Sequence, residues 1–259
     1  MSAGRPLSKR IPKEIADAQA PAMRASKIYY WSDDADMRQG KAMIVGPEGT
    51  PYAGCPLVFR FQLPDDYPFN PPSVQILTSD GETRLHPNLY VAGKVCLSIL
   101  GTWSGPKWSP VMTLSTVLSS IQSLLEENPI TNEPGHERLT LADPRAKGYA
   151  DFVRMRLVER SMVDLARWRG GACPPAWQEF RDILGEIGEG LYEGLYTYVK
   201  ENATKERVDG AQMYTSLFYS MRGESRWVRL LALVEGAAAT GGGGSSRSQQ
   251  GKIAGSEES

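Results

Sequence analysis

The sequence predicts an α+β fold, and three observations support this prediction. A short amphipathic helix comes first, four β-favouring runs separated by turns follow, and helical periodicity returns after a long irregular segment. This order is typical of an α+β domain. The short connections between the runs favour an antiparallel meander in which sequential strands pair.

The first helix is predicted for residues 8 to 20. Ile11, Ile15 and Ala18 recur at helical spacing, and Pro21 follows them. Such spacing gives one apolar face that can pack on a sheet. Proline then ends the pattern, because it lacks an N–H donor.

Four runs are predicted to form the sheet, and they cover residues 28–31, 41–45, 57–63 and 74–78. In the third run, one set of alternate residues is predicted to be buried and the other to face solvent. The buried set is Leu57, Phe59, Phe61 and Leu63, and the other is Val58, Arg60 and Gln62. A period of about two residues is the pattern of a half-buried strand. The proline-rich stretch that follows this run cannot continue the sheet.

The stretch from Thr83 to Pro110 is predicted to be irregular, because it is rich in Gly, Pro, Asn and Trp. A structureless stretch of this length within a compact domain is usually functional. Helices are predicted after it for residues 114–125 and 144–169, both with apolar residues at steps of three and four.

The C-terminal part predicts a helical extension. An apolar stripe runs from Trp177 to Tyr198, and four glycines lie within the same helix: Gly185, Gly188, Gly190 and Gly194. Each glycine costs a helix about 1 kcal/mol relative to alanine, so close packing on another element is expected. A second helical stretch is predicted for residues 209 to 234, with a break near Gly223.

Three regions are therefore predicted. They are a core domain at 5–165, a helical extension at 166–235 and a disordered tail at 236–259, which is rich in Gly, Ser and Ala. The extension has two interpretations, a surface that selects partners or packing that stabilises the last core helices.

Composition excludes several classes of function. A net charge of −1 does not favour nucleic acid or an acidic membrane surface, and no apolar run is long enough to cross a bilayer. Residues 1–13 lack the apolar region of a secretory signal. The three cysteines are far apart, which argues against disulfides and a zinc site and favours the cytoplasm or nucleus. Cys173 is expected to be buried and inert.

Cys96 is the candidate nucleophile of the irregular segment. A cysteine in a loop can expose its sulfur, and Asn88 is the one side chain nearby suited to stabilising an oxyanion. This pair fits acyl transfer through a thioester, which requires an open sulfur and an asparagine within reach. The alternative is a buried core cysteine, since Val95 and Leu97 flank it.

Several motifs together resemble those of ubiquitin-conjugating enzymes. His86-Pro87-Asn88, Cys96 and Trp108-Ser109-Pro110 occur in the family's order. Upstream, residues 46–54 and 66–72 resemble the family's strand connections. Long stretches before His86 and after Cys96, including an insertion at residues 101–107, are similar to the large, C-terminally extended Z-type subgroup.

The resemblance implies roles for individual residues. Cys96 would accept ubiquitin or a ubiquitin-like protein, and Asn88 would stabilise the oxyanion or hold the surrounding loop in shape. His86 is expected to orient the segment rather than to act as a base. Asn132 and Glu133 are the candidates for a residue that gates the incoming amine, and the alternative for Glu133 is a solvated loop carboxylate.

The resemblance also implies partners. Lys9, Arg10 and Lys13 would dock the activating enzyme, or they form a solvated helix face. Phe69 and the Ser109-Pro110 loop would contact ubiquitin ligases, although Phe69 could equally belong to the core. No cofactor or metal is expected, since the activating enzyme would use the ATP.

Two further functions remain as alternatives. One is a non-catalytic adaptor that binds ubiquitin on the same fold. The other is a cysteine hydrolase that pairs Cys96 with His86 or His136, for which the sequence offers no evident third residue.

Overall fold

The computed structural model describes residues 7–241. It begins with the amphipathic helix α1, Leu7–Ala18, which confirms the first predicted element. A short helix α2, Pro21–Ala25, starts at the proline that ends the first helical pattern. Proline is well suited to that position, since the first N–H of a helix has no intrahelical partner.

The four predicted strands form one antiparallel meander in sequence order. They are β1 (Ile28–Ser32), β2 (Gln39–Val45), β3 (Pro56–Gln62) and β4 (Ser73–Ile76). Phe59 pairs with Ala42 on one side and with Ile76 on the other, so β3 is central. The two-residue alternation is confirmed from Phe59 onward, since Phe59 and Phe61 are buried while Arg60 and Gln62 are exposed. It is wrong at Val58, which is buried with its neighbours.

An irregular segment follows β4 and is joined to the sheet through Gly93. Ile76 donates its backbone N–H to the Gly93 carbonyl at 2.8 Å. Gly93 has φ of 89°, and a Cβ there would lie 3.1 Å from the Ile76 carbonyl oxygen. Only glycine meets both requirements without strain. The helices α3 (Leu114–Leu124) and α4 (Pro144–Arg169) then follow as predicted.

The prediction of a second helical stretch in the extension, at residues 209 to 234, is wrong over its first half. Helix α5, Arg181–Asp209, ends at Gly210, whose φ is 81°. A hairpin of β5 (Met213–Ser216) and β6 (Met221–Glu224) follows, and α6 begins only at Trp227 and reaches Gly241. Glycine at positive φ is a common helix stop, and Tyr214 and Thr215 favour strand.

Core and extension share one hydrophobic interior. Trp177, Phe180 and Leu184 of the extension are at most 1% exposed and join the cluster formed by the sheet, α3 and α4. Helix α4 continues through the predicted boundary at 165/166 without interruption. Residues 242–259 of the predicted tail lie outside the described residues.

The prediction of close packing at the four glycines of α5 is confirmed at Gly188 and is wrong at the other three. A Cβ on Gly188 would lie 2.5 Å from the Trp168 ring of α4. A Cβ on Gly185, Gly190 or Gly194 would meet no heavy atom of another element of the described chain within 4 Å. Only Gly188 therefore lies at the α4–α5 interface.

Candidate active site

Cys96 and Asn88 are joined by two hydrogen bonds. The Cys96 backbone N–H donates to the Asn88 carbonyl at 2.8 Å. The Asn88 side-chain amide donates to the Cys96 carbonyl at 2.7 Å. The asparagine therefore lies within reach of the cysteine, as expected, and it holds the backbone on which the sulfur is carried.

The expectation that the Cys96 sulfur is open to solvent is wrong for this conformation. Cys96 is 1% exposed and Asn88 is 3% exposed. Asn88 Oδ1 has no hydrogen-bond partner among the described residues. The asparagine amide is engaged with backbone rather than aimed into water, so in this state it acts to hold the loop.

His86 is buried and neutral. Its Nδ1 accepts the Asn88 backbone N–H at 2.9 Å. Burial, followed by the nearby Arg84 charge, lowers the pKa of His86 to about 3. A general base works best with a pKa near the working pH, so this ring orients the segment and is a poor proton acceptor.

Arg84 braces the same segment, and the sequence patterns did not single it out. Its guanidinium donates to the His86 carbonyl at 3.1 Å and to the Pro87 carbonyl at 2.6 Å. It also lies 3.3 Å from the Tyr90 ring centroid, in a cation–π arrangement. An arginine two residues before His86 was the signal available in the sequence.

The insertion at residues 101–107 is fastened to both neighbours of Cys96. Thr102 Oγ1 accepts the Leu97 backbone N–H at 3.0 Å and lies 3.0 Å from the Val95 carbonyl, to which it donates. Its backbone N–H also donates to the Leu97 carbonyl at 3.2 Å. One hydroxyl thus bridges the backbone on either side of the cysteine.

The two gate candidates have different partners. The Asn132 amide donates to the Glu126 carboxylate. Glu133 Oε2 accepts the Tyr219 hydroxyl at 2.5 Å, so the alternative of a freely solvated carboxylate is wrong. Burial, followed by the bond to Glu133, raises the pKa of Tyr219 well above its usual value, so the phenol remains a donor.

The basic face of α1 is only partly free. Lys9 and Lys13 are exposed, as a docking face requires. Arg10 instead turns inward, where it bonds Glu14 at 2.6 Å and the Met112 carbonyl at 2.9 Å. Glu14 is 4% exposed and also accepts the Leu114 backbone N–H at 2.9 Å, so it ties α1 to the start of α3.

Two apolar residues of the predicted ligase surface are exposed. Phe69 is 72% exposed, which excludes the alternative of a core residue. Pro110 is also exposed, and Ser109 is half-buried. The Trp108 indole donates to the Pro68 carbonyl at 2.7 Å and so holds the two loops side by side.

The other two cysteines differ in burial. Cys55 is completely buried, and burial raises the pKa of its thiol. Cys173 is half-buried, so the expectation of a fully buried residue is wrong.

Within residues 7–241, no helix combines the length and hydrophobicity needed to cross a membrane.

A four-stranded meander, flanking helices and a His-Pro-Asn segment bonded to a downstream cysteine define a recognisable class of domain. The family model described as ubiquitin-conjugating enzyme matches residues 10–154, more than half of the 259 residues. The chain therefore belongs to the ubiquitin-conjugating enzyme family.

Individual relatives confirm the resemblance to the Z-type subgroup. The chain is 46% identical over 143 residues to human ubiquitin-conjugating enzyme E2 Z, which covers 55% of this chain and 39% of the relative. It is 45% identical over 165 residues to the zebrafish (Danio rerio) E2 Z, covering 63% and 49%. The chain thus spans less than half the length of these relatives.

Among solved structures, a ubiquitin-conjugating enzyme E2 domain of Toxoplasma gondii matches with a TM-score of 0.44 and 30% identity. The match covers 57% of this chain and 96% of that domain.

Proposed function

We propose that this chain carries ubiquitin or a ubiquitin-like protein as a thioester on Cys96 and passes it to a substrate amine or to a ligase. Membership of the family supports the class of reaction. The observation that carries the assignment to Cys96 is its pair of hydrogen bonds with Asn88, at 2.8 and 2.7 Å, within the His-Pro-Asn segment.

The proposed chemistry has two acyl transfers. First, the Cys96 thiolate attacks the thioester carbonyl on the activating enzyme, a new C–S bond forms, and the activating enzyme's cysteine leaves as a thiolate. A substrate amine then attacks the Cys96 thioester. The C–N bond forms, the C–S bond breaks, the amine loses a proton, and the Cys96 thiolate is regenerated.

Asn88 is assigned to the second transfer. Attack on the thioester places negative charge on the carbonyl oxygen, and an amide N–H is a suitable donor to that oxyanion. In the unloaded state the same amide binds the Cys96 carbonyl. The two roles left open by the sequence, oxyanion donor and loop support, thus belong to different states of one side chain.

Loading requires a local movement, because Cys96 is 1% exposed. The sulfur must be uncovered before it can reach a carbonyl carbon. The contacts of Thr102 with Val95 and Leu97 fasten the insertion around the cysteine. We assign the uncovering to this insertion, since it flanks Cys96 and its Thr102 hydroxyl contacts the backbone on both sides of the cysteine.

A non-catalytic adaptor is the second candidate, and the buried sulfur is the observation that favours it. An adaptor would bind ubiquitin on the same fold without forming a covalent bond. The presence of both Cys96 and Asn88 favours the carrier.

Partners follow from the proposed carrier role. Lys9 and Lys13 offer exposed positive charge to the activating enzyme, while Arg10 contributes mainly to the packing of α1. Phe69, Ser109 and Pro110 form the proposed ligase contact. The activating enzyme uses the ATP, and a reducing compartment, cytoplasm or nucleus, keeps the thiol free.

A loading assay tests the proposal. The protein is incubated with ATP and with ubiquitin or ubiquitin-like proteins, each with its activating enzyme, and resolved on gels with and without reductant. A carrier gives an adduct that reductant removes and that Cys96→Ala does not form. Cys96→Ser should give an adduct that resists reductant, because an oxyester replaces the thioester. Absence of an adduct throughout, with binding retained, would identify an adaptor.

A further inference from the structure

The hairpin turn, residues 217–220, reaches back to the active-site loops. Phe218 packs edge-on against the His136 ring at 4.9 Å between centroids. Tyr219 packs against Tyr149 of α4 at 5.7 Å and bonds the Glu133 carboxylate at 2.5 Å. Two adjacent turn residues thus contact α4 and the loop that carries both gate candidates.

The same tyrosine also contacts Arg84, which braces the His86–Asn88 segment. The Arg84 guanidinium lies 5.0 Å from the Tyr219 ring centroid while it donates to the His86 and Pro87 carbonyls. The Arg84 backbone N–H points to the Met221 sulfur at 3.3 Å. An unbroken series of contacts therefore runs from Tyr219 through Arg84 to the segment that holds Cys96.

The turn adopts a backbone conformation that its residue types disfavour. Tyr219 and Ser220 have φ of 60° and 51°, in the left-handed region that suits glycine. Side chains with a Cβ stay there when surrounding contacts compensate the strain, and such sites cluster at functional positions. At Tyr219 those contacts are the Glu133 bond and the packing with Arg84 and Tyr149.

We propose that Tyr219 is a positioning residue for amine attack, its hydroxyl fixing the Glu133 carboxylate where it receives the incoming amine. This inference rests on the thioester transfer proposed above. A glutamate side chain has many rotamers, and a bond to a half-buried phenol selects one of them. A fixed carboxylate can orient the amine and accept its proton.

Amine attack on the thioester should depend on the Tyr219–Glu133 bond, and thiol attack should not. An amine must lose a proton during transfer, so a positioned carboxylate helps it. A small thiol attacks as a thiolate, which has no proton to lose, so it does not need Glu133. Discharge to a thiol therefore reports whether the Cys96 thioester is intact and reactive, independently of the Tyr219–Glu133 bond.

The experiment loads Cys96 with ubiquitin, stops the activating enzyme, and follows single-turnover discharge to free lysine and, separately, to 2-mercaptoethanol. Tyr219→Phe removes the hydroxyl and keeps the ring that packs on Arg84 and Tyr149. It should load normally, discharge to lysine about tenfold or more slowly, as the loss of one hydrogen bond to a charged group implies, and discharge to the thiol at the normal rate.

A matched control lies elsewhere in the extension. The Tyr196 hydroxyl donates to Glu235 at 2.8 Å, which is another tyrosine–glutamate bond but one between α5 and α6. Tyr196→Phe should change neither discharge rate. If it slows lysine discharge as much as Tyr219→Phe does, the effect is a general loosening of the extension and the inference is wrong.

A double-mutant cycle shows whether Tyr219 acts through Glu133. If it does, Tyr219→Phe has no further effect on lysine discharge once Glu133→Ala is present. Effects that multiply contradict the inference. So does a Tyr219→Phe protein that loads poorly or slows both reactions equally.

The two proposals fail in different ways. If the unmodified protein forms no reducible adduct on Cys96, the carrier function is wrong and the role of Tyr219 falls with it. The unmodified protein and Tyr219→Phe could instead both load and discharge to lysine at the same rate. In that case the carrier function stands and only the role of Tyr219 is wrong.

Discussion

At the scale of single residues, the cysteines differ in how far solvent reaches them. Cys173 is half-buried, Cys96 is 1% exposed and Cys55 is fully buried. Cys96 lies in the irregular segment, whereas Cys55 directly precedes the strand β3 and its carbonyl accepts the Gly46 backbone N–H at 3.0 Å. Irregular segments open locally at a lower cost than a core strand does.

Alkylation rates should follow this order. In a native-state iodoacetamide pulse read by mass spectrometry, Cys173 is expected to react first. Cys96 should react about tenfold or more slowly, since an opening cost of only about 1.4 kcal/mol gives that factor. Cys55 should react only on global unfolding. If Cys96 reacts as fast as Cys173, the conformation with a covered sulfur is not the resting state.

Thr102→Val tests whether the contacts of Thr102 limit the alkylation of Cys96. Valine keeps the shape of threonine but cannot bridge Val95 and Leu97, so the alkylation of Cys96 should accelerate several-fold while that of Cys55 stays unchanged. Equal rates in the variant and the unmodified protein would show that another part of the chain covers the sulfur.

At the scale of elements, the glycines of α5 have different roles. Gly188 lies against the Trp168 ring, where a Cβ would come within 2.5 Å of it. Gly190 is exposed, and a Cβ there would meet no heavy atom of another element within 4 Å among residues 7–241. The first allows α4 and α5 to approach closely, and the second only adds backbone freedom to the unfolded chain.

Alanine substitutions should therefore act in opposite directions. Gly188→Ala is expected to destabilise the protein by about 1–3 kcal/mol, because an added methyl overpacks the interface. Gly190→Ala should stabilise it by about 0.5–1 kcal/mol, since alanine is the better helix former. Urea unfolding followed by tryptophan fluorescence measures both. Destabilisation by both variants would contradict the assigned helix faces.

Elements specified by local pattern were predictable from the sequence, and those specified by distant contacts were not. The meander and the helices α1, α3 and α4 follow from periodicity within each segment. The hairpin was missed because Met213–Ser216 and Met221–Glu224 are each only four residues long and mostly polar.

The same distinction holds at the candidate site. Neighbouring residues fix the His-Pro-Asn segment, so the Asn88–Cys96 pairing could be predicted. The Tyr219–Glu133 bond joins residues 86 positions apart, and no local pattern indicates it. The burial of Cys96 was missed because it depends on how the whole irregular segment folds around the cysteine, which no local pattern indicates.

At the scale of the whole molecule, the extension is part of the interior. Trp177, Phe180 and Leu184 are buried in the cluster that contains the sheet. Lys41 of β2 also pairs with Glu179 at 2.5 Å. These contacts favour the stabilising interpretation of the extension, and the hairpin turn adds the proposed role in amine transfer.

Removing residues 171–259 should therefore prevent cooperative folding. Each fully buried large apolar side chain contributes about 1.5–3 kcal/mol, and the loss of several exceeds a typical stability of about 5–15 kcal/mol. Calorimetry and binding of a hydrophobic dye measure the outcome. Removing only residues 242–259 is the control, because the buried residues named here remain. A truncated protein that folds, loads and merely changes partner would contradict this prediction.

Helix α4 continues from the core into the extension, with Trp168 near its end covering Gly188 of the next helix. A chimera that joins residues 171–241 to a shorter relative would therefore lack the matching half of this interface. A viable exchange must bring α4 along with α5, the hairpin and α6.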